Sequence, residues 1–148
     1  MRGFWEKWYP LVLSTVFTIG TCLLFIRLDL DVPKTIKDLL TAATTLSGIV
    51  IGFLAATQAI LFSIENSQVI VHLKQGGMYR KLLNYLMDAI HWSLVLAIIS
   101  SIGLFLDLTA PKPWYIYPFF VWSFCSAAAA LSCYRVIRLF NKILHSLA

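Results

Sequence analysis

Apolar residues in this chain come in four long runs, 11–26, 39–64, 82–106 and 116–134, and the polar segments between them are too short to fold alone. A helix needs about 20 mostly apolar residues to cross a bilayer, because in hydrocarbon every backbone group must be hydrogen-bonded within its own segment. The pattern predicts an all-α integral membrane protein with four transmembrane helices, at about 9–28, 39–64, 82–106 and 116–134. Together they make a single transmembrane domain over 1–148, with a basic connection at 65–81 and a basic tail at 135–148.

The runs differ in quality. The first has 16 uncharged residues, but Trp5, Trp8 and Tyr9 mark an interface before it, and Leu28 and Leu30 carry it past Arg27. It ends in Arg27-Leu28-Asp29 with no small-x-small cleavage site, and Thr21 is a poor residue before Cys22 for a lipoprotein box, so an uncleaved span is expected. The second run, 26 residues or about 39 Å, exceeds the hydrocarbon thickness and must tilt or protrude. The third is interrupted by Asn84, Asp88 and His91; the fourth follows an aromatic belt of Trp114, Tyr115 and Tyr117.

Charge orients the spans. With the N-terminus, the 65–81 connection and the C-terminus on one side, that side holds eight bases against three acids. Four bases and four acids cancel on the other, so the whole +5 lies on the face predicted to be cytoplasmic, N-in and C-in. Overall the chain is 59% hydrophobic and 13% charged, which leaves no room for a soluble catalytic domain. Cys22, Cys125 and Cys133 fall within or at the end of spans and read as small packing residues rather than a disulfide framework.

Small residues recur along the second run at Thr41, Thr45, Gly48, Gly52, Ala55, Ala59 and Ser63, near heptad spacing. Glycine and alanine let helix backbones approach in lipid, so Gly48, Gly52 and Ala59 are read as helix-packing residues, against the same chain or a neighbouring protomer. A second stripe of Thr44, Ser47, Ile51, Ala55 and Gln58 combines hydroxyls, one amide and small apolar groups. That combination suits a narrow pore in which Ile51 would be the constriction. The alternative is that Gln58 bonds a neighbouring helix.

On the third run, Lys81, Asn84, Asp88 and His91 share one face. An acid at such depth is normally paired or faces water; Lys81, Arg135 and Arg138 are the candidate partners. Asp88 and His91 are too few for a metal site, no nucleophile accompanies them, and no metal, cofactor or enzymatic activity is expected. Lys74, Arg80 and Lys81, with Arg135, Arg138 and Lys142, would lie on the same side near Tyr79 and Tyr85. Bases with aromatic neighbours suit anionic lipid headgroups, or a nucleotide or single-stranded DNA.

With the Ala43-Thr44-Thr45-Leu46-Ser47-Gly48 span, the Gly76-Gly77-Met78-Tyr79-Arg80 turn and the basic tail, the chain resembles small four-span membrane effectors of bacterial phage defence. The nearest is the membrane component of Hailong-type systems; RexB-type abortive-infection proteins are similar more loosely in layout. The resemblance implies a homo-oligomeric pore in the bacterial inner membrane, a tetramer favoured, whose opening depolarises the cell. It further implies a DNA oligomer, made by a partner nucleotidyltransferase, bound at the basic rim. A small multidrug transporter is disfavoured because the first span holds no acid. A non-conducting scaffold or assembly protein, its rim binding only anionic lipid, is the other class the seam would serve.

Overall fold

The structure is a computed structural model and describes residues 2–28, 35–63, 78–106 and 116–147. Among these residues there are four helices and no strand: α1 (Arg2–Leu28), α2 (Ile36–Ser63), α3 (Met78–Phe105) and α4 (Ile116–Leu147). The stretches Ile36–Ser63, Tyr79–Phe105 and Tyr117–Ile143 are each long and apolar enough to cross a membrane. In α1 the apolar segment Leu11–Leu24 is shorter than a span normally requires.

Local chemistry sets the ends. The amide of Leu39 donates to the Thr35 carbonyl at 3.1 Å, so α2 starts on a residue type favoured at N-caps, with Asp38 in its first turn. Pro118 lies in the first turn of α4, where a missing N–H costs no helical bond. At the end of α3 the Leu106 amide reaches back only to the Gly103 carbonyl, a tightened last turn.

α2 packs antiparallel on α3, where Leu40 meets Gly103 and Gln58 meets Met87. α3 packs antiparallel on α4, where Tyr85 meets Arg135 and Ser100 meets Trp122, and α4 packs on α1. The buried positions Leu40, Ser47, Leu54 and Leu61 of α2 recur every seven residues. On α3, Leu82, Leu86, Ala89, Ser93, Leu96 and Ser100 alternate steps of four and three. One cluster joins Leu54 and Leu61 with Leu82, Leu86 and Ala89 and with Val136 and Ile143, so α2, α3 and α4 share a core. The second, Leu96 with Cys125 and Ala129, is edged by Trp92 and Phe124, whose rings meet edge to face at 5.9 Å.

Serine is the recurring buried polar residue: Ser14, Ser47, Ser93, Ser100, Ser123 and Ser132 are all buried. Small side chains let the helices close up, and hydroxyls satisfy themselves locally. Ser14 bonds the Leu11 carbonyl at 2.9 Å and Ser47 the Ala43 carbonyl at 2.7 Å. Ser100 instead accepts the indole N–H of Trp122 at 2.9 Å, a bond that joins α3 to α4.

Candidate functional site

The seam expected on α2 has no partner within the described chain. Thr41, Thr45, Gly48, Gly52, Ala55, Ala59 and Ser63 are all exposed, and a Cβ added at Gly48 or Gly52 would meet nothing within 4 Å. Helix-packing residues Gly48, Gly52 and Ala59 therefore do not pack inside the protomer. The glycine that does is Gly103 of α3, whose added Cβ would lie 3.0 Å from Leu40.

The hydroxyl stripe of α2 divides. Ser47 is 4% exposed and turned into the protomer, while Thr44, Ile51 and Gln58 are half-buried beside it and Ala55 is exposed. The Thr44 hydroxyl donates to the Leu40 carbonyl at 2.9 Å, and Thr41, Thr45 and Thr57 bond back along the helix in the same way. Such hydroxyls have spent their one donor and are compatible with acyl chains, while their oxygens can still accept. Gln58 reaches α3, its amide donating to the Met87 sulfur at 3.5 Å.

That contact places two surfaces side by side. Met87 is three residues after Asn84 and four before His91, so Gln58 touches the edge of the α3 polar stripe. Gln58 is likewise one turn from Ala55, on the edge of the glycine seam. Val50, on the opposite flank of α2, packs into the shared core. The glycine seam of α2 and the polar stripe of α3 thus form one continuous outward face.

Lys81, Asn84, Asp88 and His91 are all exposed on that face, opposite the buried row of α3. His91 donates from Nδ1 to the Met87 carbonyl at 2.7 Å, since a carbonyl can only accept. Among the described residues Asp88 forms no ion pair or hydrogen bond. The expected partner Arg135 is engaged elsewhere, its guanidinium 3.8 Å above the Tyr85 ring. The row continues with the exposed apolar residues Val95, Ile98 and Ile102 and ends at Phe105, which is 91% exposed. Half of the row is polar and half apolar.

The antiparallel pairing brings Arg80 and Lys81 of α3 to the same end as Arg138 and Lys142 of α4, all four exposed. Arg135 sits just inside this group, with Nη2 buried and meeting no acceptor among the described residues. Lys74 and the Gly76-Gly77 turn lie outside the described residues.

Sequence reading missed the α3–α4 seam, although Ala89, Ser93, Leu96 and Ser100 repeat at steps of four, three and four, and Cys125, Ala129, Ser132 and Val136 do the same. Between α1 and α4 a crevice of about 270 Å³ is lined by Thr15, Thr18, Ile19, Phe120, Val121 and Phe124. Both threonine hydroxyls bond their own helix, at 2.7 and 2.8 Å, so the crevice presents an apolar wall and no chemistry. Cys22, Cys125 and Cys133 are free thiols. Among the described residues no three His, Cys, Asp or Glu side chains gather into a metal-binding group. No protein-family model, no curated protein and no solved structure matches this chain.

Proposed function

We propose that this chain is a membrane protein whose copies assemble around the joint face of α2 and α3 to enclose a gated aqueous pore. One observation carries the reading: Asp88, with Asn84 and His91 beside it, is exposed on a helix otherwise apolar enough to span a bilayer. The middle of the Tyr79–Phe105 stretch is Trp92, so Asp88 lies only about 6 Å along the axis from it. That is well within a hydrocarbon layer about 30 Å thick.

An aspartate near the centre of a span costs about 2.5–3.5 kcal/mol on insertion scales when it faces lipid. Four helices packed on one another leave no lumen, so the polar row finds water or a partner only when several protomers bring it together. Gly48 and Gly52 on the same face allow the close approach that such assembly needs. The α3 row, rather than the self-bonded hydroxyls of α2, lines the aqueous path, with the gate among Val95, Ile98 and Ile102.

The exposed bases Arg80, Lys81, Arg138 and Lys142, with Arg135 inside them, receive the regulator at the cytoplasmic mouth. A phosphate-bearing ligand, nucleotide or single-stranded DNA, fits their chemistry. Reconstitution into liposomes loaded with a potassium reporter tests the pore, and native mass spectrometry counts the chains. Oligomers whose vesicles stay tight both as wild type and with Ile98→Ser would leave a scaffold. A strictly monomeric protein in tight vesicles would defeat the proposal.

A further inference from the structure

We infer that Asp88 of every protomer contributes to one ring of carboxylates that binds hydrated monovalent cations and turns anions away, an inference that rests on the pore reading above. Copies related by a common axis place the same residue at the same level, so a single exposed acid becomes a ring. The position suits a filter. Asp88 has Asn84 one turn towards the basic end and His91 one turn towards the middle, and all three side chains point outward from the protomer.

No cation within the described residues neutralises Asp88. Arg135 stacks on Tyr85, and Lys81 is seven residues nearer the end, about 10 Å along the axis. The carboxylate charge is therefore left for a mobile ion. Its surroundings sharpen the effect. Gln58 touches Met87 from the α2 side, and the Met87 carbonyl accepts from the His91 ring, so two contacts orient the side chains beside the acid. A ring of like charge between apolar helices focuses its field along the axis, and acidic rings favour cations over anions. The exposed apolar residues Val95, Ile98 and Ile102 begin one turn beyond His91, so ions concentrated at the ring wait directly against the constriction.

The test is the reversal potential of reconstituted protein in a potassium chloride gradient, for wild type and for an opened Ile98→Ser form, each with and without Asp88→Asn. The expected result is cation preference with Asp88, and a cation-to-anion permeability ratio that falls about fivefold without it, the factor a unit charge about 4 Å away carries in water. Should Asp88→Asn fail to insert, Asp88→Cys replaces it: a sulfonate-bearing thiol reagent should restore cation preference and an ammonium-bearing one reverse it. Conducting channels whose selectivity ignores both substitution and reagent overturn the ring while leaving the pore intact. If neither wild type nor Ile98→Ser conducts, the pore reading fails and the ring fails with it.

Discussion

Replacing Gly48 and Gly52 together by leucine separates folding of the protomer from its assembly. Neither position has a heavy atom within 4 Å of where a Cβ would sit, so leucine meets no clash inside the chain. Removing a mid-helix glycine gains about 0.8–1 kcal/mol in intrinsic helix preference, so the protomer should be no less stable. Between copies the outcome reverses. Two overpacked sites at about 1 kcal/mol or more each weaken a helix pair by about 2 kcal/mol, roughly thirtyfold in association. Gly103→Val is the matched control: its side chain enters the Leu40 contact at 3.0 Å, so it should destabilise the fold by about 1–3 kcal/mol. Native mass spectrometry reports the oligomer, and thermal unfolding in the same detergent reports the protomer. An unchanged stoichiometry and unchanged conductance in the double leucine variant would refute the interface.

Further outcomes follow from the same geometry. Ile98→Ser should make reconstituted vesicles leak ions while Ile51→Ser, half-buried beside α3, leaves them tight; dye and potassium efflux distinguish the two. Trp122→Phe removes the only N–H reaching Ser100 among the described bonds and should cost about 0.6 kcal/mol and no more than about 1.7 by reversible unfolding. Arg138→Ala with Lys142→Ala should weaken binding of a fluorescent single-stranded DNA and flatten its dependence on salt, measured by anisotropy.

Much of the fold was legible because the run lengths alone specify it. The helices overrun the apolar stretches at both ends of the chain: α1 begins at Arg2 and α4 continues to Leu147. Which face of a helix finds a partner is a different matter. The glycine seam and the Ser93–Ser100 repeat carry the same small-residue signal, and only the packing of α3 between α2 and α4 tells that the serines close the protomer while Gly48 and Gly52 stay outside. The α2 hydroxyls show a related limit. A composition count scores Thr44 and Ser47 as polar, but each spends its proton on a carbonyl one turn back. The stripe Lys81, Asn84, Asp88, His91 was visible from spacing. Its exposure, and the stacking of Arg135 on Tyr85 that leaves Asp88 without its expected partner, needed the tertiary arrangement.

Those back-bonded hydroxyls also bear on biogenesis. Ser14, Thr15, Thr18, Thr21, Thr44 and Ser47 complete their bonds within their own helix, so these hydroxyls would add little polar burden to a helix entering lipid alone. The Gln58 amide of α2 would still await Met87 of α3. α3 would carry Asp88 against acyl chains until the proposed assembly forms. On the proposed assembly, a newly made copy would be short-lived until it meets its siblings, and orphan copies would become substrates for membrane quality-control proteases. Under that assembly, steady-state abundance would be set by how fast the copies find one another rather than by how fast they are translated.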